Sequence, residues 1–344
     1  MTTMDVLLSA AAQLPLQAQL DALGTERGSL PFAPVLTAFV GRLSRAILGD
    51  RRFREFPELM AMAHWCRPAN LRDMRAGFLG EERTADVASG TLPVRRGVVF
   101  HIAPSNVDSV FIYSWLLSLL CGNVNIARVS RRRTPQMSEF FAVVRKLLKE
   151  PEFAPLARSN LVLSYEHDAA VTQAISARCH LRVVWGGDAT IEQIRKIPLP
   201  ALAGEIAFAN RFSVAALRAD AVLAADEAAL AQLAHDFYND AFWFNQQACS
   251  SPRAVFWVGD ASQCEQAQAR FWPALALRIA QQQPDNSPAY VMSRATTLAL
   301  VAEAHVHARA LTPPGAFPSR VQVDALSDAD RSLHDGNGLF IEVQ

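Results

Sequence analysis

A chain of 344 residues with 33 basic and 33 acidic side chains carries no net charge, which removes the electrostatic footprint of a nucleic-acid binder. At 51% hydrophobic and 19% charged residues it is too apolar for a disordered chain, and its longest apolar stretch, 109–121, is shorter than the ~20 residues of a membrane span. The length suits two domains better than one core. The first residues, MTTMDVLLSAAAQLP, carry Asp5 and no basic residue before the apolar run, unlike a signal peptide, so a soluble cytoplasmic protein is expected. The basic residues are 30 Arg against 3 Lys, a skew that with abundant Ala reflects a GC-rich genome rather than chemistry. Five cysteines (66, 121, 179, 249, 264) are odd in number and widely spaced; no Cys/His cluster suggests a metal site, and reduced thiols follow.

Residues 1–90 read as helical, with apolar residues at helical spacing from Met4 to Leu23 and from Leu36 to Leu48. Pro93 opens a different texture. Val94–Ala103 is a β-branched run ending in a Pro-Ser-Asn turn, Asp108–Leu120 an apolar helix, Asn123–Val129 a strand and Thr134–Lys149 an amphipathic helix. A strand at Asn160–Tyr165, a helix at Asp168–Ala177 and a strand at Leu181–Trp185, ending at Gly186-Gly187, complete the alternation. Such alternation implies βαβ units and a parallel, doubly wound sheet. The rhythm resets near residue 208. Phe212–Leu217 reads as a strand, Asp226–Trp243 as a long helix, Ala254–Val258 as a strand and Ser262–Gln282 as a helix, with mixed segments before a last strand at Leu339–Val343.

Several residues stand where chemistry is done. Cys249 lies in Phe244-Asn-Gln-Gln-Ala-Cys-Ser-Ser-Pro252, a polar, small-residue turn between helix and strand. A thiol there serves either as a nucleophile, its own N–H helping to hold an oxyanion, or as an inert buried cysteine. Asn106 lies at the carboxyl end of the first strand, where open α/β sheets bind ligands; its amide either polarises a carbonyl or caps the next helix. His101 reads as a packed strand-end histidine. Arg128, Ser130 and the run Arg131-Arg132-Arg133 follow the second strand, where a dinucleotide fold reads the adenosine ribose and an arginine favours a 2′-phosphate; a solvated basic loop is the plain alternative. Gly186 and Gly187 suit close approach to a cofactor, or only a strand-to-helix turn.

In order, these segments resemble the aldehyde dehydrogenase superfamily, and within it the acyl-CoA reductases of the LuxC type, the fatty acyl reductases of bacterial luminescence. The matching segments are GVVFHIAPSNV (97–107), NVNIARVS (123–130), VVWGGDATI (183–191) and FNQQACSSP (244–252). The resemblance implies an aldehyde-dehydrogenase-like α/β fold: an N-terminal helical region (1–90), a Rossmann-like NAD(P)-binding domain (91–208) and a cysteine-bearing catalytic domain (209–344). Members of the family run on past the last strand, so the third region is expected to be truncated at its C-terminal end.

By the same resemblance Cys249 matches the nucleophile and Asn106 the second oxyanion donor. Ala103, Pro104, Arg128, Ser130, Arg131, Gly186 and Gly187 fall on cofactor contacts. Arg131 stands where NAD-preferring members carry a glutamate, and a cation there adds attraction for a 2′-phosphate, so NADPH is the expected cofactor. The position of the hydrolytic general-base glutamate is nearest Ala207, with Glu205 out of register. The expected reaction is therefore reduction of an acyl thioester, a fatty acyl-CoA, to an aldehyde through a thioacyl cysteine. An oxidative aldehyde dehydrogenase and a truncated, non-catalytic binding subunit are the alternatives. The resemblance also implies a homo-oligomer and, as partners, an acyltransferase and an acyl-activating synthetase, although no segment of the sequence marks a docking surface for either.

Overall fold

The computed structural model describes residues 4–79, 93–104, 109–131, 134–284, 286–313, 315–334 and 336–344. It divides into two compact units, Met1–Ala209 and Asn210–Gln344.

The first unit begins with β1 (Asp5–Leu8), α1 (Leu16–Thr25), α2 (Pro34–Leu48), α3 (Pro57–Trp65) and α4 (Pro68–Leu79). It continues through β2 (Val98–Ile102), α5 (Val110–Leu120), β3 (Val124–Val129), α6 (Pro135–Leu147) and α7 (Ala154–Arg158). Then come β4 (Asn160–Ser164), α8 (Ala169–Ser176), β5 (Leu181–Trp185), α9 (Asp188–Arg195) and β6 (Gly204–Phe208). The six strands are ordered β1-β4-β3-β2-β5-β6. All pairs are parallel except β1 with β4. From β4 to β6 this is the strand order of a nucleotide-binding doubly wound sheet, which reverses direction at β2.

The central strands are buried on both faces because helices cover them, polar residues such as His101 and Asn125 included. One face packs under α2, α5 and α6, where Phe39, Trp115, Phe140 and Val129 share a core. Phe39 and Phe140 meet the Trp115 ring edge-on, with centroids 6.3 and 6.2 Å away. The other face packs under α1, α8 and α9 through Leu20, Phe100, Ile126, Ile175 and Ile191. Helix starts follow their capping residues. Thr134 accepts from the Met137 N–H ahead of Pro135, and Asp168 accepts from the Val171 N–H at 3.0 Å.

One reading of the sequence is corrected here. The run from Met4 to Leu23 is not one helix: residues 5–8 form the edge strand β1, with Asp5 opposite Ser164. Just before the reset near residue 208 lies β6, whose Trp185–Phe208 register places two aromatic rings face to face at 3.8 Å.

The second unit comprises β7 (Ser213–Arg218), α10 (Ala219–Ala224), α11 (Glu227–Phe242), β8 (Pro252–Val258), α12 (Ala261–Gln282) and α13 (Pro288–Ala304). It ends with β9 (Arg309–Ala310), β10 (Ser319–Val323), α14 (Asp328–Leu333) and β11 (Leu339–Val343). Its sheet is ordered β7-β8-β11-β10-β9, parallel but for β9. Phe237, Trp257, Phe271 and Phe340 fill the side under α11 and α12, and Ala254, Val301, Val321 and Ile341 the side under α13. Glu342, fully buried on β11, is neutralised by Arg320 Nε at 2.6 Å. It also accepts from the indoles of Trp257 and Trp272 at 2.7 and 3.0 Å, so its cost of burial is offset by a complete set of partners.

Candidate active site

In the first unit the carboxyl ends of β3, β2 and β5 lie side by side and gather most of the expected cofactor residues. Ala103 extends β2 by one bond, its N–H donating to the Arg128 carbonyl at 2.9 Å, and Pro104 follows. Asn106, and with it the turn 105–108, lies outside the described residues, as do Arg132 and Arg133.

Arg128, on β3, is half-buried. Its Nε and Nη2 donate to the Tyr165 carbonyl at 3.3 and 3.2 Å, and its guanidinium stands 5.5 Å over the Tyr165 ring. Burial lowers the Arg128 pKa, yet a guanidinium stays charged throughout the physiological range. Tyr165 is itself fixed, with its hydroxyl 3.1 Å from Thr172 Oγ1 and its pKa pushed up to about 12 by burial. Ser130, half-buried, leads to Arg131 on the surface, where Nη1 meets Glu166 Oε1 at 3.1 Å.

At the end of β5 the Gly186 N–H donates to the Phe208 carbonyl at 3.2 Å, and a Cβ on Gly186 would come within 3.0 Å of Thr190. Gly187 caps α9 without a side chain, so no side-chain oxygen of its own competes for the first N–H groups of that helix.

His101 is a packed residue. Its ring nitrogens lie 2.8 Å from Ser114 Oγ and 3.2 Å from Asn125 Oδ1. Asn125 and the Trp115 indole both donate to Asn160 Oδ1. Burial, only partly offset by Asn125, pushes the His101 pKa down to about 4. Glu205 on β6 is equally committed. Its Oε2 accepts from Arg182 Nη2 at 2.6 Å and its Oε1 from Arg195 Nε at 2.9 Å. Burial alone would raise this carboxyl, but the Arg195 and Arg182 guanidiniums outweigh it and hold the carboxyl below its usual range. A carboxylate so paired is a poor general base, and two residues on along β6 the position is Ala207.

The second unit holds Cys249 in the turn between α11 and β8. The helix unwinds through left-handed backbone at Asn245 (φ 48°) and Gln246 (φ 63°), with the Gln246 N–H returning to the Ala241 carbonyl at 2.7 Å. The Gln246 side chain is fully buried and satisfied. Its Nε2 donates to the carbonyls of Pro252 and Leu339 at 2.8 and 2.9 Å, and its Oε1 accepts from the Gly338 N–H at 2.8 Å.

One residue on, Gln247 Nε2 donates to Asn337 Oδ1 at 2.8 Å. Asn337 donates in turn to Ser293, and its carbonyl receives Arg294 Nη1 at 2.8 Å. The turn 336–338 fits against the cysteine loop so closely that a Cβ on Gly336 would lie 2.7 Å from the Gln246 carbonyl. Both ends of the loop are thereby pinned, and the Cys249 carbonyl accepts from Ser213 Oγ at 2.6 Å. The Cys249 side chain is exposed.

The other four thiols are not. Cys66, Cys179 and Cys264 are buried and Cys121 half-buried. Burial raises all four, Cys66 to about 12 and Cys179 to about 11. Of the two readings of Cys249, inert burial is therefore removed. Gln246, Asn337 and Arg294 went unrecognised in the sequence. Their only signals were the Gln-Gln pair before the cysteine and a Gly-Asn-Gly triplet (336–338) ahead of the last strand.

Comparison with known proteins gives a consistent result. The family model described as acyl-CoA reductase (LuxC) matches residues 43–306. A long-chain acyl-protein thioester reductase of Aliivibrio fischeri is 28% identical over 167 residues, 48% of this chain and 33% of that protein. The match thus spans about a third of that curated relative. Among solved structures, an aldehyde dehydrogenase of Sinorhizobium meliloti superposes with a TM-score of 0.65 at 10% identity, over 94% of this chain and 69% of its own. The glyceraldehyde-3-phosphate dehydrogenase GapN of Methanocaldococcus jannaschii, complexed with NADP, gives 0.62 at 12% identity, over 100% and 81%. The NAD+ complex of a Bacillus cereus aldehyde dehydrogenase gives 0.61 at 12%, over 95% and 70%. At these identities the likeness is one of fold, and the fold is aldehyde-dehydrogenase-like.

Proposed function

The chain belongs to the LuxC acyl-CoA reductase family, and from that membership we propose that it reduces a fatty acyl thioester, carried on CoA or on a protein, to the aldehyde with NADPH. The observation that carries this reading is the exposure of Cys249 alone among five cysteines, on a loop pinned at both ends. A nucleophile held in this way needs little reorganisation to meet a carbonyl carbon.

Cys249 Sγ, as thiolate, attacks the thioester carbonyl. The negative charge collects on oxygen, where the Cys249 N–H and, by family resemblance, the Asn106 amide donate to it. Collapse expels the carrier thiolate and leaves an S-acyl cysteine. NADPH, when bound, supplies the hydride that reduces this thioester. With one proton the hemithioacetal then breaks down to aldehyde, and the Cys249 thiol is restored.

The nucleotide fits the residues present. Arg128 and Arg131 stand at the end of β3, where a phosphorylated adenosine ribose would lie, and the Gly186-Gly187 turn carries no side chain to hold a pyrophosphate off the backbone. The pairing of Glu205 with Arg182 and Arg195 supports reduction over hydrolytic oxidation, because β6 offers no unpaired carboxylate to activate water.

Intact-mass measurement after incubation with a series of acyl-CoAs tests this reading. The wild type is expected to gain one acyl group and Cys249→Ala none, and NADPH is expected to discharge the adduct as aldehyde. A wild type that binds NADPH but never acquires the acyl group would establish the non-catalytic alternative. Discharge as free acid would establish the oxidative one.

A further inference from the structure

Resting on the nucleotide reading above, we propose that Glu166 is a determinant of cofactor preference: its carboxylate holds Arg131 in place of a 2′-phosphate and competes with that phosphate for it.

Of the two described arginines at the end of β3, Arg128 has its guanidinium committed to the Tyr165 carbonyl and ring. Arg131 is the exposed one, and the anion it meets is Glu166 Oε1 at 3.1 Å. Glu166 is carried on a firm support. Tyr165 before it is buried, with its hydroxyl against Thr172, and Asp168 after it caps α8. The carboxylate therefore reaches Arg131 from the neighbouring strand end, a place the β3 sequence alone does not reveal.

A 2′-phosphate arriving at Arg131 must displace this carboxylate and then remain beside it, two like charges at one cation. A free 2′-hydroxyl meets the opposite situation, since an ionised carboxylate is a good acceptor for it. Arg131 thus favours NADPH and Glu166 tempers the preference, so that a single carboxylate sets the ratio between the two nucleotides.

Calorimetric titration with NADP+ and NAD+ measures this without turnover, on wild type, Glu166→Gln and Arg131→Gln. Glu166→Gln is expected to tighten NADP+ by about fivefold at low salt, with the gain shrinking as ionic strength rises. NAD+ is expected to hold its affinity or lose some. Arg131→Gln is expected to weaken NADP+ selectively. An NADP+ to NAD+ affinity ratio unchanged within twofold in Glu166→Gln would overturn the proposal while leaving nucleotide binding intact. So would weaker NADP+ binding, which would make Glu166 a support for Arg131 rather than a competitor. A wild type that binds neither nucleotide would remove the nucleotide reading itself, and this inference with it.

Discussion

Replacing Gln246 by glutamate changes one atom type at the most constrained point of the cysteine loop. The amide Nε2 lies 2.8 and 2.9 Å from the carbonyls of Pro252 and Leu339, while Oε1 accepts from the Gly338 N–H. In the variant an oxygen faces two carbonyl oxygens. A protonated carboxyl satisfies one of them, and an ionised carboxylate satisfies neither. Each buried polar group left unpaired costs about 1–3 kcal/mol, so the ionised variant loses roughly 3–5 kcal/mol. Much of the charged form's penalty is avoided by protonation, which raises the folded-state pKa roughly two units above an ordinary 4.3. A group raised in this way loses stability as pH climbs from the unfolded value through the folded one. The variant should therefore fall further below wild type by about 2 kcal/mol between pH 5 and pH 8. Urea unfolding followed by tryptophan fluorescence, with Trp243, Trp257 and Trp272 reporting on the second unit, measures both numbers. The Cys249 alkylation rate of the variant relative to wild type at each pH reports loosening of the loop, and that ratio should rise over the same range. A deficit that stays constant from pH 5 to pH 8 would refute the account of Gln246 as a doubly donating clamp.

Other outcomes follow from groups already described. His101, held near 4 when folded against 6.5 when unfolded, refuses a proton that the unfolded chain accepts. Its stabilisation is present above pH 6.5 and declines by about 3 kcal/mol as pH falls to 4. His101→Gln should flatten that part of the acid-unfolding curve, and an unchanged slope would reject the assignment. Glu205→Gln leaves the buried Arg182 without its charge partner and should destabilise the first unit by about 3 kcal/mol. If Glu205 is structural, the hydrolysis rate of acylated Cys249 should not move; a large fall would reinstate it as a base. Iodoacetamide at pH 8.5 should add one group to the native protein, on Cys249, with Cys121 slower. Denaturant should open all five thiols, because Cys66 and Cys179, at about 12 and 11, stay protonated while folded.

Where neighbouring residues carry their own boundary signals, the sequence reading and the structure agree to the residue. The strand Leu181–Trp185 is closed by a glycine pair and Leu339–Val343 is opened by a Gly-Asn-Gly turn, and both form as expected. Elements defined by distant partners were lost. Residues 5–8 have apolar spacing that a helix would also satisfy, and pairing with β4 decides the matter. Residues 319–323 alternate as a half-buried strand should, but behind Pro318 and a loop they read as mixed.

The exposure of Cys249 was legible because its turn is built of small and polar residues. The clamp around it was not, since Gln246 acts on a carbonyl 93 residues away. The same reason hid Glu166, whose meaning depends on Arg131 one strand over.

The edge strand β1 also bears on how the first unit is assembled. Its partner β4 is made long after it, with Asp5 finally opposite Ser164, so this pairing has among the longest loop closures in the unit. Long-range closures of this kind are slow, because chain entropy is lost before any contact repays it. Until residues 5–8 dock, the backbone groups along the outer side of β4 remain unpaired, and an open strand edge is a template for a neighbouring chain. Folding yield at high concentration should therefore be governed by competition between intramolecular arrival of β1 and intermolecular addition at β4.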